Sequence, residues 1–167
     1  MREQLTESDV QKIQEEIEYR KLIVRKEAIE AVKEARAHGD LSENFEYHAA
    51  KKDKNRNESR IRYLERMLKT AEIVSDKSED GVVGINNRVT VYFVDDDEEE
   101  TYKLVTSVRG NSLTGYISIE SPIGKAILGH RVGDTVSVKV SENYSYDVKI
   151  REIVNSHDDE TDKIRSY

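Results

Sequence analysis

Apolar residues in the first part of the chain recur at helical spacing in two separate stretches. In the first stretch they follow steps of three, four or seven residues: Val10, Ile13, Ile17, Val24, Ala28, Ala31 and Ala35. A helix from about residue 9 to residue 37 would be roughly 40 Å long, with Thr6 or Ser8 as its cap. The return stretch repeats this spacing at Ile61, Leu64, Leu68 and Ala71. The pattern predicts an antiparallel helical hairpin, paired as a coiled coil, that turns at Gly39.

Alanine is concentrated toward the predicted turn, on both helices. Small residues on a helix seam let two backbones approach closely, which would make that end of the hairpin thin. Alanine is also the best helix former, so its use there can equally reflect helix propensity. The sequence leaves both interpretations open.

Beyond a polar segment, Val74 to Gly81, the pattern changes to the alternation of β-strands. Five segments rich in Val, Ile, Thr or Tyr are predicted as strands: Arg88 to Val94, Thr101 to Ser107, Tyr116 to Glu120, Thr135 to Val140 and Tyr146 to Val154. A short helix interrupts them, with Ser121 as its cap, Pro122 at its first position and Gly129 after its end. The predicted fold class is α+β, with a helical hairpin followed by a small antiparallel β domain.

These changes of pattern divide the chain into four parts. We expect the hairpin over residues 1–75, a linker over 76–80, the β domain over 81–155 and a frayed acidic tail over 156–167. The acidic run Asp95 to Glu100 joins two predicted strands, and we interpret it as a solvated hairpin loop.

Composition excludes several classes of protein. The chain has no cysteine and only four scattered histidines, so disulfides, thiol chemistry and a zinc site are not expected. It has no long apolar run, and its first residues lack the pattern of a secretory signal. We therefore expect a soluble, cytoplasmic protein without membrane contact, and a monomer.

The charge of the chain is uneven. A formal net charge of −7 argues against general coating of nucleic acids, which requires a cationic surface. Between Lys51 and Lys69, however, eight Lys or Arg residues stand against three Asp or Glu residues. This stretch is either a solvated helix face or a functional basic patch, and charge alone favours neither.

The segment between the two helical stretches, Gly39 to Tyr47, is the strongest candidate for function, and we call it the tip segment. Its local pattern has a purely structural interpretation, since Asp40 or Ser42 can cap the second helix and Glu43 can complete a capping box. The functional interpretation is that carboxylate oxygens suit Mg²⁺. Two acids on an exposed turn would make an incomplete site, whose remaining ligands would come from a partner.

The tip and its flanks, Glu34 to Lys51, closely resemble the signature of the bacterial Gre transcript-cleavage factors, a family of transcription elongation factors. A second segment, Ser121 to Asp134, is similar to the C-terminal signature of the same family. The resemblance implies a coiled coil that enters the secondary channel of RNA polymerase and an FKBP-like domain that docks at the rim of the channel. It implies stimulated cleavage of backtracked RNA at its 3′ end, with the polymerase as the enzyme.

The resemblance also implies roles for individual residues. Asp40 and Glu43 would act in catalysis by holding a Mg²⁺ ion shared with the polymerase, so no cofactor is expected to bind stably to this chain alone. Ser42, Asn44, Glu46 and Tyr47 would support the tip. The RNA-facing basic residues would be Arg36, Lys51, Lys52, Lys54 and Arg56. Docking to the polymerase would use Ser121, Pro122, Ile123, Gly124, Gly129, Gly133 and Asp134. Phe45 stands where the family usually has a smaller residue.

Three alternatives remain at this point. The chain could bind the secondary channel and regulate the polymerase without cleavage, or it could be a structural adaptor whose hairpin binds protein without metal. An FKBP-like domain could also be a chaperone or prolyl isomerase, which needs an apolar, aromatic-rich pocket. The aromatic residues available for such a pocket are Tyr92, Phe93, Tyr102, Tyr116, Tyr144 and Tyr146, although strand alternation favours a place in the core or on a sheet face.

Overall fold

The computed structural model describes residues 2–39, 44–110, 114–156 and 164, and it divides into two compact units. A helical unit contains residues 10–71, and a β unit contains residues 3–9 together with the chain from Glu72 onward. The short N-terminal segment therefore packs with the second half of the sequence, which no local pattern indicated. The change between units after Ala71 lies close to the start of the predicted linker.

The helical unit is the predicted antiparallel hairpin. Its first arm consists of α1 (Glu7–Tyr19), a π-helical segment (Arg20–Val24) and α2 (Arg25–Arg36), and its second arm is α3 (Phe45–Thr70). Thr6 caps α1, because its hydroxyl accepts a hydrogen bond from the backbone N–H of Asp9 at 3.2 Å. The hairpin and one of the two candidate caps are thus confirmed.

The first arm follows the predicted seam with one exception. Ile13, Ile17 and Ala35 are buried as the spacing predicts, but Ala31 is exposed and Val32 is half-buried instead. Val32 stands four residues after Ala28 and three before Ala35, which fits helical spacing as well as Ala31 does. The assignment of Ala31 to the seam was therefore wrong.

Polar pairs join the two arms beside Ile17 and Ile61 and farther toward the tip. Glu16 accepts hydrogen bonds from Arg60 at 2.8 and 3.2 Å and from Arg20 at 2.7 Å. Burial would raise the pKa of Glu16, but its bonds to the two guanidinium groups outweigh burial and lower the pKa overall. Farther along, Arg25 forms a bidentate pair with Glu58, with both distances at 3.0 Å. Ionic pairs therefore add to the apolar contacts between the two arms.

The β unit contains a five-stranded sheet. Its strands are β3 (Arg88–Phe93), β4 (Glu98–Val105), β5 (Tyr116–Ser118), β6 (Thr135–Ser141) and β7 (Tyr144–Val154). Their order is β5-β4-β3-β7-β6, with antiparallel neighbours except for the parallel pair β4–β5. Helix α4 (Pro122–Ile127) lies between β5 and β6 in the sequence. All five predicted strands, the short helix and the α+β class are confirmed.

The acidic run differs from its interpretation as a loop. Only Asp95 to Asp97 lie in the turn, because β4 already begins at Glu98 and pairs with Phe93 of β3. Glu98, Glu99 and Glu100 are exposed on the strand, so water solvates their charges while their backbone groups pair with β3. Strand pairing has overridden the low strand propensity of glutamate.

The core of the β unit forms on one face of the sheet. Val89 and Val91 of β3 and Val148 and Ile150 of β7 are fully buried, as alternation along neighbouring strands requires. Ile127 of α4 packs into the same cluster. This packing fixes α4 and the turns that flank it.

The N-terminal segment is anchored in the β unit by one small strand pair and one buried ion pair. β1 (Gln4–Leu5) runs parallel to β2 (Glu72–Ile73). Asp9 and Arg109 are both fully buried, with 2.6 Å between Asp9 Oδ1 and Arg109 Nε. Thr106 donates its hydroxyl to Asp9 Oδ2 at 2.6 Å, and Arg109 also donates to Asn86 at 2.8 Å. Neither the strand pair nor the ion pair was predicted.

None of the described helices has the length and apolar character needed to cross a membrane.

Candidate functional site at the hairpin tip

Asn44 organises the described side of the tip. Its side-chain oxygen accepts the backbone N–H of Tyr47 at 3.0 Å and caps α3, while its side-chain nitrogen donates to the carbonyl of Ala35 at 2.7 Å. One side chain thus starts the second arm and ties it to the end of the first. The cap of α3 is Asn44, rather than the Asp40 or Ser42 that the sequence suggested. The sequence did contain an indication of this cap, since asparagine is as favourable at a helix N-cap as aspartate or serine.

Arg36 and Tyr47 form a second bridge between the arms. The Arg36 guanidinium lies over the Tyr47 ring, 5.7 Å from its centroid, and Tyr47 is buried. The pKa of Tyr47 is lowered, first by a hydrogen bond from Arg36 and then by the positive charges of Lys51, Arg36 and Lys54. Arg36, Lys51 and Lys54 therefore all lie close enough to the Tyr47 hydroxyl to lower its pKa.

The other described residues of the tip segment differ in their contacts. His38 Nδ1 lies 3.2 Å from Glu46 Oε2, with both side chains largely exposed. Phe45, the first residue of α3, is 88% exposed. Gly39 has φ of +121°, a backbone conformation that favours glycine. Tyr47 is thus packed between the arms, Glu46 makes an exposed contact with His38, and Phe45 contributes little to packing.

Asp40, Ser42 and Glu43 lie outside the described residues. In the part of the chain that the structure describes, no three His, Cys, Asp or Glu side chains group in a way that could hold a metal ion. The roles assigned to Asp40 and Glu43 therefore remain predictions from the sequence.

The remaining residues of the predicted basic patch lie on α3. Lys52 and Arg56 are exposed, as is Lys51, and Lys54 is half-buried. Asp53 is the only acidic residue between Lys51 and Arg56 in the sequence. The first turns of α3 thus present positive charge close to Tyr47 and Arg36.

The segment around α4 is built largely by residues that shape the backbone. The Ser121 hydroxyl accepts the N–H of Gly124 at 3.1 Å and donates to the carbonyl of Ser118 at 2.6 Å. A Cβ atom on Gly124 would lie 2.0 Å from that same carbonyl oxygen, so only glycine fits. Pro122 occupies the start of the helix and is exposed, and Ile123 packs against the core. Ser121, Ile123 and Gly124 therefore have clear structural roles.

The turn after α4 is formed in the same way. Gly129 and Gly133 have positive φ and donate backbone hydrogen bonds to Val83 and Ile150, respectively, at 2.9 and 2.8 Å. The Asp134 carboxylate accepts from the backbone of Arg131 at 2.9 Å, which with the nearby His130 lowers the pKa of Asp134. These three residues hold the turn in place.

Side chains available to a partner lie between these structural residues. Leu128 is 40% exposed and Val132 is 54% exposed, although both are apolar, and Lys125 and Arg131 are exposed and positively charged. The sequence motif, with its glycines and Ser121, indicated this segment as the docking region. The exposed apolar residues beside them are the stronger candidates for contact.

The aromatic residues of the β unit mostly have structural contacts. Phe93, Tyr102 and Tyr146 pack against the core, and the Arg151 guanidinium lies 4.0 Å from the centroid of the Tyr92 ring. Burial, followed by a hydrogen bond to Glu100, raises the pKa of Tyr102. A cavity of about 240 Å³ is lined by Phe93, Tyr144, Tyr146 and three aspartates, Asp95, Asp96 and Asp147. Its lining is more acidic than an apolar peptide pocket requires.

Family models match both halves of the chain. A model of the N-terminal part of a transcription elongation factor matches residues 3–73. A model of the C-terminal part of the GreA/GreB transcription elongation factors matches residues 77–155. The two matches follow each other in the order of the helical hairpin and the sheet.

Individual proteins are similar over most of the chain. Transcription elongation factor GreA of Geobacillus kaustophilus is 46% identical over 136 residues, which cover 81% of this chain and 86% of that protein. GreA of Streptococcus pneumoniae serotype 19F is 41% identical over 150 residues, covering 89% and 93%. Among solved structures, GreA factor homolog 1 (Gfh1) of Thermus thermophilus is 29% identical, with a TM-score of 0.43, and the match covers 92% of this chain and 99% of that one.

Proposed function

The chain belongs to the GreA/GreB family of transcription elongation factors, and on that premise we propose that it stimulates RNA polymerase to cleave its own backtracked transcript. In this proposal the helical hairpin enters the secondary channel of the polymerase and brings the tip segment to the active site. The RNA 3′ end released there would let an arrested complex resume elongation. The chain itself is the stimulating factor, and the polymerase carries out the cleavage.

The observation that carries the proposal is the way in which the tip is held. Asn44 links the start of α3 to Ala35, and Arg36 links the end of α2 to Tyr47. The arms are thereby fixed on both sides of the four residues that contain Asp40 and Glu43. A turn with fixed ends loses less conformational freedom when it binds, which favours delivery of its carboxylates into another molecule.

The chemistry of the donors fits a Mg²⁺ ion shared with the polymerase. Asp40 and Glu43 would supply carboxylate oxygens, which Mg²⁺ prefers, and two such ligands leave most positions to water and to the partner. A Mg²⁺ ion held in this way would lower the pKa of a bound water and neutralise charge on the phosphodiester. The contribution of this chain is to place the two carboxylates and to hold the RNA nearby.

The cations near the tip suit the second of these tasks. Arg36, Lys51 and Lys54 act together on the Tyr47 ring, and Lys52 and Arg56 extend the positive surface along α3. Phosphate contacts of this kind position a strand without reading its sequence. We assign these five residues to the backbone of the extruded RNA.

The β unit supplies the second contact in the proposal. The turn around α4 would dock at the rim of the channel through Pro122, Leu128 and Val132, which are exposed. Ser121, Gly124, Gly129, Gly133 and Asp134 would act indirectly by shaping that turn.

The test is a cleavage assay on purified stalled complexes with Asp40→Asn combined with Glu43→Gln. We expect the double variant to bind polymerase as the wild type does and to lose stimulated cleavage, because amides are poor Mg²⁺ ligands. A matched control makes the same two changes in the exposed acidic run of the β unit, Asp95→Asn with Glu98→Gln, and should leave cleavage intact.

Two results would contradict the proposal. Undiminished cleavage by the tip double variant would remove the carboxylate mechanism. Binding by the wild-type chain without RNA cleavage would instead identify a regulator that occupies the channel and does not cleave.

A further inference from the structure

Phe45 is an aromatic side chain that the fold leaves uncovered. It is 88% exposed, the highest value among the large hydrophobic residues that the structure describes. The other phenylalanine, Phe93, packs against the core of the β unit. A single exposed apolar side chain is common on protein surfaces, so the surroundings of Phe45 decide what its exposure means.

The residues on either side of Phe45 make contacts within the hairpin. Asn44 bonds to Ala35 and Tyr47, the Glu46 carboxylate lies beside His38, and Tyr47 is buried under Arg36. These contacts fix the first turn of α3. Phe45 is thus an exposed ring on a backbone that is already held in place.

The charge around the ring indicates what kind of molecule it contacts. Lys52 and Arg56 follow Phe45 by seven and eleven positions on α3, so they share its face of the helix, and both are exposed. Positive charge beside an exposed aromatic ring is the combination that binds single-stranded nucleic acids, since cations hold the phosphates and the ring stacks on a base. An apolar protein pocket would match the ring but would leave these cations without a counterpart.

The position of Phe45 in the sequence suggests its place on the RNA. Phe45 follows Glu43 by two positions, a chain length of at most about 7 Å. Stacked nucleotides in a strand rise by about 3.4 Å each. With the reach of both side chains added, a base stacked on Phe45 would lie within a few nucleotides of a phosphodiester bound near Glu43.

We propose that Phe45 stacks on an unpaired base of the RNA 3′ segment and thereby sets which phosphodiester is presented for cleavage. This inference rests on the proposed function and extends it. Phe45 acts as a positioning residue, because it holds the RNA without touching the reacting atoms. Stacking tolerates any base, so it places the strand without requiring a sequence.

The test compares Phe45→Leu with Phe45→Tyr in the cleavage assay, on RNA with a normal or an abasic 3′ nucleotide. We expect Phe45→Leu to slow cleavage of normal RNA by roughly 5- to 100-fold at subsaturating factor and to broaden the range of fragment lengths, because leucine is apolar but cannot stack. Phe45→Tyr should retain wild-type cleavage. On abasic RNA the wild type and Phe45→Leu should cleave alike.

Tyr19→Leu is the matched control, since Tyr19 is also an exposed aromatic residue of the hairpin but lies far from the tip in the sequence. It should cleave as the wild type does. Wild-type rates for Phe45→Leu on normal RNA, or an equal loss on normal and abasic RNA, would overturn the stacking role.

A second measurement separates this inference from the cleavage mechanism. In the Asp40→Asn, Glu43→Gln background, RNA with 4-thiouridine at its 3′ end is irradiated in a stalled complex and crosslinking to the factor is measured. We expect a crosslink that Phe45→Leu strongly reduces. Crosslinking by a wild-type chain that fails to stimulate cleavage would support stacking while the proposed function fails, and absence of the crosslink would overturn stacking alone.

Discussion

The hairpin and the β unit both rely on ion pairs, but they place them differently. Asp9 and Arg109 in the β unit are completely removed from water, whereas Glu16 of the hairpin keeps 23% of its side-chain exposure and the Arg25–Glu58 pair keeps about a third. A buried pair is costly to break because the remaining charge has no solvent to replace its partner. A partly exposed pair contributes less, since water and salt screen it. We therefore expect an ion pair to contribute more to the stability of the β unit than to that of the hairpin.

Asp9→Ala should have the largest effect on stability. It leaves Arg109 charged and buried without its carboxylate, and we expect the free energy of unfolding to fall by about 3–5 kcal/mol. Urea denaturation of the full chain, followed by circular dichroism, measures the change. Replacing both partners, Asp9→Leu with Arg109→Leu, should recover much of the loss, because it removes both charges. A loss below about 1 kcal/mol for Asp9→Ala would contradict the expectation that the buried ion pair contributes more to stability than the partly exposed pairs of the hairpin.

Glu16→Gln should have an intermediate effect with a characteristic pH dependence. At neutral pH we expect a loss of about 1–2 kcal/mol, since three charged hydrogen bonds weaken at a partly exposed site. The pKa of Glu16 is lower in the folded chain, so its contribution is complete above the ordinary value of 4.5 and disappears as the pH falls below it.

The difference in stability between the wild type and Glu16→Gln should therefore be constant from pH 7 to about 5 and shrink at lower pH. Thermal unfolding at a series of pH values measures it. Asp134→Asn is a useful comparison, because the pKa of Asp134 is also lowered but this carboxylate belongs to the β unit. A difference for Glu16→Gln that grew on acidification would contradict the assigned direction of the pKa.

Asn44→Ala should have the smallest effect on stability, about 1 kcal/mol, because it removes the cap of α3 at a partly exposed end of the hairpin. Asn44→Asp keeps an oxygen for the Tyr47 N–H but loses the donor to Ala35, so it separates the cap from the link between the arms. Hydrogen exchange at the first turn of α3 measures both. Equal protection in Asn44→Ala and the wild type would show that Asn44 does not hold the tip.

The elements of the fold followed from short-range patterns. Alternation placed all five strands and helical spacing placed both arms, because burial on one face needs only neighbouring residues to be predicted. The prediction began this strand at Thr101 and missed Glu98 to Glu100, because glutamate disfavours strands. These three residues are in the strand because they pair with β3. The strand pair β1–β2 was also not predicted, because a strand of two residues is too short to show an alternating pattern.

The site was predictable in part. The tip motif identified Ser42, Asn44, Glu46 and Tyr47 as supporting residues, and of these Asn44 and Tyr47 make contacts between the two arms. The choice of Asn44 as the cap could not be made, since Asp40 and Ser42 have similar preferences. Asp9 and Arg109 are 100 positions apart, and no local pattern connects an acid in a first helical turn with a distant arginine.

The π-helical segment Arg20–Val24 has a consequence for how the length of this chain can vary. A π turn is the form in which a helix accommodates one inserted residue without disturbing the residues before and after it. Loss of a single residue from this segment would convert it into regular α-helix, with Glu16 and Arg25 still directed at Arg60 and Glu58. We therefore expect the first arm to tolerate the loss of one residue from this segment while the tip stays in register.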